Sequence, residues 1–157
     1  MAMQFQQLTI SSRNVRGLGD KIEDPLFLEN LTSDINILLE TWKGDSDKYK
    51  VLGYNCISKA RKKKKKVRRH SGGIIIYFKK EFTKGITYLK EATLSQNRLL
   101  LKLDKMFFGL SQDVYLCAVY IPPISSPYYD NDLISLEGEV STFSSKGKLV
   151  LQCNWRF

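Results

Sequence analysis

Three side chains that could take part in chemistry stand at the ends of predicted strands. Glu40 ends the apolar segment 35–39, Asn14 follows an alternating segment at 5–10, and Tyr120 closes a third apolar segment. A carboxylate is costly to bury unpaired, so Glu40 is expected to face solvent, a cation or a metal ion. Taken alone, Asn14 is more typical of a turn, and Tyr120 is more typical of an amphipathic core residue.

The formal net charge of +9 comes from one short segment. It holds nine of the 25 Lys and Arg residues and no acidic residue: Lys59, Arg61, Lys62, Lys63, Lys64, Lys65, Lys66, Arg68 and Arg69. The other basic residues balance the 16 acidic ones. Like charges at this density repel one another, so residues 59–70 are expected to form a mobile loop. Such a loop could neutralise several phosphates and bind nucleic acid without regard to sequence; a nuclear-import signal is the alternative.

The elements that position these residues are those of an α/β protein with one mixed β-sheet and helices on one face. Apolar patterns predict a short helix from residue 24 and an amphipathic helix at 133–143. Strands are predicted at 5–10, 35–39, 49–58, 74–78, 99–103, 114–120 and 148–152. We expect a single domain over residues 1–157.

Composition narrows the class of protein further. With 43% hydrophobic residues the chain can form a buried core. No signal peptide and no apolar run of about 18 residues is visible, which predicts a soluble intracellular protein, nuclear or cytoplasmic, without membrane contact. The three cysteines are odd in number and far apart, which favours neither a disulfide framework nor a zinc site.

Four short motifs occur in an order that resembles one protein family. They are Ser-Arg-Asn-Val-Arg-Gly at 12–17, Leu-Leu-Glu-Thr-Trp at 38–42, Ser-Gly-Gly-Ile at 71–74 and Val-Tyr-Ile-Pro-Pro at 119–123. Together they resemble the endonuclease/exonuclease/phosphatase superfamily, whose fold is the four-layer sandwich of deoxyribonuclease I. The resemblance is greatest to the apurinic-type endonuclease domains of non-LTR retrotransposons, and it spans residues 8–152.

The resemblance implies roles for the same three side chains. By match, Asn14 and Glu40 stand at the divalent-metal and phosphate site, where hard oxygen ligands suit Mg²⁺ or Mn²⁺. Tyr120 matches the tyrosine that orients the scissile phosphate. Gly72 and Gly73 match the glycines that begin a core strand, and they receive no catalytic role.

Departures from the family pattern predict that catalysis is lost. Arg13 replaces a tryptophan of the family. Residues 153–156, Cys-Asn-Trp-Arg, stand where the family has Gly-Asp-Phe-Asn, so its aspartate and its asparagine are both replaced. The family's later Ser-Asp-His motif has no counterpart, and His70, the only histidine, lies in the basic segment. We therefore interpret the chain as the N-terminal part of such a domain, truncated at its C-terminus.

Three functions remain open at this stage. The first is a nucleic-acid-binding remnant of a retrotransposon endonuclease, with Tyr120 vestigial, and the sequence does not choose between DNA and RNA. The second is a Mg²⁺-dependent endonuclease that is active only with a partner chain, and the third is an exapted protein-interaction module. Strands that have lost a facing sheet would expose apolar surface, so a homodimer through that sheet face is also expected.

Overall fold

The strands of the computed structural model form two four-stranded sheets. The structure describes residues 7–43, 49–61, 72–121, 123–126 and 129–155. The chain divides into two compact units, residues 8–83 and residues 84–157 with 1–7. The α/β class is confirmed, but two mixed sheets replace the single sheet expected. Strand partners are distant along the chain, so local apolar patterns cannot assign strands to sheets.

The unit of residues 8–83 contains sheet A, whose strand order is β1-β2-β4-β3. Its strands are β1 (Ile10–Asn14), β2 (Ile35–Leu39), β3 (Tyr54–Lys59) and β4 (Ile74–Lys79). β1 runs parallel to β2, whereas β4 is antiparallel to both of its neighbours. Helix α1 (Pro25–Glu29) connects β1 to β2 and follows a 3-10 turn at Lys21–Glu23. The Asp24 side chain caps α1 by accepting a hydrogen bond from the backbone N of Leu26.

The core of this unit is built on the two central strands. Every residue of β2 is buried, as expected for an apolar strand with a neighbour on each side. Leu38 and Tyr77 pack in a cluster with Phe27 and Leu28 of α1. The Tyr77 hydroxyl donates a hydrogen bond to the Tyr49 carbonyl at 2.6 Å, and burial raises the pKa of Tyr77.

The unit of residues 84–157 with 1–7 contains sheet B, whose strand order is β5-β6-β7-β8. Its strands are β5 (Ile86–Tyr88), β6 (Arg98–Leu103), β7 (Val114–Ile121) and β8 (Lys148–Trp155). The pairs are antiparallel except for β7 and β8, which are parallel and joined by helix α3 (Tyr129–Ser144). A short helix α2 (Lys105–Phe108) connects β6 to β7, and 3-10 helices lie at Lys80–Gly85 and Lys90–Ala92. Phe143 of α3 packs with Tyr115 and Cys117 of β7.

Several predicted boundaries are wrong for physical reasons. β1 begins at Ile10, and residues 7–9 of the predicted strand at 5–10 are not in a strand; residues 5 and 6 lie outside the described residues. This edge strand exposes Ser11, Ser12 and Arg13, so it carries no apolar alternation. Lys59 lies in β3 and is not part of a mobile loop, since it pairs with Ile74. Arg61 is also described. The other basic residues of the segment, Lys62, Lys63, Lys64, Lys65, Lys66, Arg68 and Arg69, lie outside the described residues.

The apolar face that suggested a homodimer is not exposed. The apolar residues of β4, β6 and β7 are buried almost completely, including Ile76, Leu101 and Leu116 at 0% exposure. Large exposed apolar side chains among the described residues lie in separate segments, such as Leu26 and Leu94. The homodimer therefore stays a prediction without this support. In the described part of the chain, no helix is long and apolar enough to cross a membrane.

Candidate nucleic-acid interface

One edge of sheet A collects the residues that the sequence singled out in this unit. The strand pairing aligns four residues in a row across the sheet: Asn14 beside Leu39, Leu39 beside Ile74, and Ile74 beside Lys59. Glu40 follows directly after this row. Strands are about 4.8 Å apart, so the whole row spans roughly 15 Å. Asn14 and Glu40 are thus brought to one edge of sheet A.

The backbone beyond this row is held in an uncommon conformation. Arg16, Glu40 and Trp42 have φ angles of 48°, 55° and 55°, in the left-handed region that non-glycine residues rarely adopt. Hydrogen bonds hold the strained segments together, from Gly17 N to the Glu40 carbonyl at 2.7 Å and from Leu18 N to the Thr41 carbonyl at 2.8 Å. Such strain concentrates at functional sites, where the surrounding structure enforces it.

Gly73 has a structural reason to be glycine. Its φ is +91°, and a Cβ at this position would lie 2.5 Å from Oγ1 of Thr41. The close approach allows the strand after the basic segment to pair with the segment after β2, since Thr41 N donates to the Gly73 carbonyl and Trp42 N donates to the Gly72 carbonyl. The glycine pair therefore fixes the backbone around Glu40.

The side chains of Asn14 and Glu40 differ in their surroundings. Oδ1 of Asn14 accepts a hydrogen bond from the backbone N of Arg16 at 2.9 Å, so Asn14 also forms the turn that its residue type favours. Glu40 is only 2% exposed, and the expectation that it could face solvent is wrong. A nearby positive group or a metal ion remains the expected environment for its carboxylate.

Asn14 and Glu40 carry oxygen atoms of the type that binds divalent cations, but they are only two side chains. Carboxylate and amide oxygens are the ligand types that Mg²⁺ and Mn²⁺ prefer, and Mg²⁺ retains several waters when protein ligands are few. Among the described residues, no group of three or more His, Cys, Asp or Glu side chains could hold a metal ion. By ligand type alone, the pair could supply two oxygen ligands of a weak site.

Arg13, which replaces a tryptophan of the family, has its own packing. Its guanidinium carbon lies 4.7 Å from the centroid of the Phe27 ring, a distance typical of a cation–π contact. The long side chain thus covers an aromatic residue of α1, as an amphipathic cation can.

Tyr120 belongs to the other unit. It lies in β7 and is 8% exposed, and its backbone N donates to the Asn97 carbonyl at 2.9 Å. The Asn97 side chain in turn donates to Oδ2 of Asp132 at 2.5 Å. In the register of the parallel pair β7 and β8, Tyr120 is the neighbour of Asn154.

A buried arginine that the sequence analysis did not single out organises the surroundings of Asn97. Arg98 is 1% exposed, and its Nε donates to Oε2 of Glu139 at 2.6 Å. Its guanidinium also donates to the Asp132 carbonyl and to the Ser135 hydroxyl. The signal was present in the sequence, because 132, 135 and 139 share one face of a helix and Arg98 begins a mostly apolar strand.

The departure at Cys153 and Asn154 has a structural counterpart. Both residues continue β8, which runs to Trp155 and not to the predicted end at 152. The Cys153 side chain is exposed, and partial desolvation raises the pKa of its thiol. Asn154, which stands at the aspartate of the motif, carries no charge.

Three solved structures illustrate which proteins share this fold. A 3′ phosphatase, NExo, from Neisseria bound to a product DNA hairpin is 20% identical, with a TM-score of 0.62 over 94% of this chain and 57% of that one. The Xenopus laevis APE2 catalytic domain is 17% identical, with a TM-score of 0.61 over 92% and 57% of the two chains. An AP endonuclease from Archaeoglobus fulgidus is 15% identical, with a TM-score of 0.56 over 94% and 56%.

These likenesses confirm the deoxyribonuclease-I-like fold expected from the four motifs. The chain spans about 57% of the length of the first structures that it matches. No protein-family model matches the sequence, and no curated protein matches it.

Proposed function

We propose that this chain is a nucleic-acid-binding domain that contacts phosphates through its basic segment, residues 59–69, at the Asn14/Glu40 edge of sheet A. The binding is independent of base sequence and is weakened by salt, because it replaces counterions around the phosphates. We propose a retrotransposon-type origin for the domain on the four motifs.

The observation that carries this proposal is where the basic segment is attached. β3 ends at Lys59 and β4 begins at Ile74, and these two residues pair in the same row as Asn14. Both ends of the segment therefore leave the sheet beside the residues that match the family's phosphate site. A ligand held by these cations would lie next to that edge.

Two further observations support the proposal. The charge outside the basic segment is balanced, so the segment carries the whole excess that could attract a polyanion. One of the proteins with this fold is a phosphatase bound to a DNA hairpin.

We propose that the chain alone does not hydrolyse phosphodiesters. Hydrolysis of this kind needs a metal to stabilise developing charge and a group to activate water. Asn154 and Arg156 stand where the family's motif has its aspartate and its asparagine, and His70, the only histidine, directly follows the basic segment. Asn14 and Glu40 could still bind Mg²⁺ or Mn²⁺ weakly.

A metal-dependent nuclease completed by a partner chain is the second candidate. It is favoured by the retained pair Asn14 and Glu40 at one edge. Cleavage of supercoiled plasmid in Mg²⁺ by the chain alone would contradict the first proposal on catalysis, and cleavage only with an added partner would favour the second candidate.

Fluorescence anisotropy with a labelled oligonucleotide tests the binding proposal. We expect micromolar-range affinity that falls steeply with salt, as is usual for contacts to phosphates. Replacing Lys62, Lys63, Lys64, Lys65 and Lys66 with serine should weaken binding by more than about tenfold at equal ionic strength and flatten the salt dependence.

A second serine variant provides the matched control. Lys50, Lys80, Lys84, Lys90 and Lys105 are all exposed, and their replacement removes the same formal charge from other places. The control should bind nearly as well as the parent. Equal losses in both variants would show that net charge, and not the basic segment, controls binding.

A further inference from the structure

Trp42 is a large apolar side chain that stays partly exposed at the Asn14/Glu40 edge of sheet A. It is 40% exposed although tryptophan carries a large apolar surface, and its φ is +55°. Its backbone N donates a hydrogen bond to the Gly72 carbonyl at 2.9 Å, which fixes the main chain at this strained conformation. The indole is therefore presented from a fixed backbone at the same edge as Asn14 and Glu40.

Gly17 provides the surface on which this ring lies. A Cβ at residue 17 would meet the ring atoms Cε3, Cζ3 and Cδ2 of Trp42, so the six-membered ring packs directly against the Gly17 backbone. The φ of Gly17 is +91°, a conformation in which a side chain is strained even without the ring. The contact supports one part of the indole and leaves the exposed part available to a ligand.

Each of the two glycines that contact Trp42 has an arginine beside it, Arg16 next to Gly17 in the chain and Arg61 next to Gly72 in space. Arg16 is exposed and immediately precedes Gly17. The guanidinium carbon of Arg61 lies 3.0 Å from the position that a Cβ of Gly72 would take, so it covers the residue to which Trp42 is hydrogen-bonded. Proteins bind single-stranded nucleic acid through exposed aromatic rings on which bases stack, together with cationic residues that contact the phosphates.

We propose that Trp42 stacks on an unpaired base of the bound nucleic acid, which makes the ligand a single strand or a locally unpaired region. This inference rests on the proposed function and adds the ligand class. Bases inside a duplex already stack on their neighbours and cannot offer a free face, whereas any unpaired base can.

The test uses the protein's own fluorescence. Trp42 and Trp155 are the two tryptophans, so Trp155→Phe leaves Trp42 as the only indole reporter. The ligands are an oligothymidylate of about twelve nucleotides and an abasic sugar-phosphate strand of equal length, at one ionic strength. The oligothymidylate should quench Trp42 and bind roughly tenfold more tightly than the abasic strand, within the range that stacking of one base spans.

Variants at position 42 complete the test. Trp42→Ala should bind both strands alike, at the affinity of the parent for the abasic strand, and Trp42→Phe should restore most of the preference. Quenching of the single-tryptophan protein needs no change at residue 42, so it decides the question even if the alanine variant unfolds.

The possible results distinguish a failure of the stacking role of Trp42 from a failure of the proposed nucleic-acid binding. If the parent binds neither strand, the proposed function fails and the stacking role fails with it. If the parent binds both strands equally without quenching, nucleic-acid binding stands and the role of Trp42 is overturned.

Discussion

The residues at the Asn14/Glu40 edge of sheet A owe their geometry to backbone constraints more than to side-chain packing. Arg16, Glu40 and Trp42 all have positive φ, and Gly17 and Gly73 lie where a Cβ would clash. Strain of this kind costs on the order of 1–3 kcal/mol per residue and persists only where the fold enforces it. Close backbone contacts thus determine the conformation of this edge.

The first residue-scale prediction concerns Glu40 and metal binding. Glu40→Gln removes the only carboxylate of the Asn14 and Glu40 pair, so Mn²⁺ binding should weaken by about tenfold or more from a roughly millimolar starting affinity. Paramagnetic broadening of amide signals by Mn²⁺ measures this directly. Glu23→Gln is the control, since Glu23 is an exposed carboxylate of the same unit. Identical broadening in Glu40→Gln and the parent would remove Glu40 from any metal site.

The second prediction at the residue scale concerns the contact between Gly17 and Trp42. Gly17→Ala should lower the free energy of unfolding by about 1–2 kcal/mol from backbone strain and by a further amount from displacement of the indole. Gly19→Ala is the matched control, because Gly19 also has a positive φ but has open space where its Cβ would be. Chemical denaturation compares the two. A loss in Gly17→Ala no larger than that in Gly19→Ala would show that the ring moves aside freely.

At the scale of the elements, two clusters of polar side chains link neighbouring strands and helices through hydrogen bonds and ion pairs. At the opposite end of sheet A, Asp34 accepts hydrogen bonds from Thr9 N at 2.9 Å and Thr9 Oγ1 at 3.0 Å, and Lys79 Nζ lies 2.8 Å from it. In the other unit, Arg98 ties β6 to α3 through Glu139 and the Asp132 carbonyl. Both clusters join segments that are far apart along the chain.

The Asp34 cluster predicts how stability depends on pH. Burial alone would raise the pKa of Asp34, but the hydrogen bonds from Lys79 and Thr9 outweigh it and lower that pKa. The stabilisation is therefore fully present above the ordinary value of 3.8 and is lost as the pH falls through the lowered value. Asp34→Asn should lower the free energy of unfolding by about 1–2 kcal/mol near neutral pH. The difference in this free energy between the variant and the parent should shrink in acid.

Urea denaturation at several acidic pH values measures this dependence. The nucleic-acid affinity of Asp34→Asn should be unchanged, because Asp34 precedes β2 and the proposed interface follows it. A constant difference between the two proteins down to pH 2 would contradict the assignment of the acid-sensitive group.

For variants in the Arg98 cluster we expect a larger loss in the free energy of unfolding. Arg98→Ala leaves Glu139 and Asp132 without their buried counter-charge, and breaking one side of such a pair costs about 3–5 kcal/mol. Arg98→Lys should lower the free energy of unfolding by less, since it keeps the charge but not the paired hydrogen bonds. Thermal unfolding distinguishes these cases, and a loss in Arg98→Ala below about 1 kcal/mol would show that α3 is held by apolar packing alone.

Strands with a strong apolar pattern could be predicted from the sequence, and strands without one could not. Segments 35–39, 74–78 and 114–120 match β2, β4 and β7 closely, since these strands are buried along their length. β1 was placed too early because an exposed edge strand has no apolar alternation to reveal it. The division into two sheets depends on pairing between distant segments, which local patterns do not encode.

The candidate site was predictable only in part for a related reason. The motif order pointed to Asn14 and Glu40, and the strand pairing brings them to one edge. Trp42 stood in the same motif, but its role depends on its exposure and on the Gly17 contact, which appear only in three dimensions. The Arg98 network joins residues about forty positions apart, so only the helical spacing of its acidic partners was visible in the sequence.

For the whole molecule, the central claim is that nucleic acid binds at the edge of sheet A where the basic segment is attached. Two-dimensional NMR of the ¹⁵N-labelled chain, titrated with a single-stranded oligonucleotide, tests it most directly. We expect shifted amide signals at Gly17, Trp42, Arg61 and Gly73. Shifts confined to the opposite end of the sheet, around Asp34, with no change at those four residues, would contradict it.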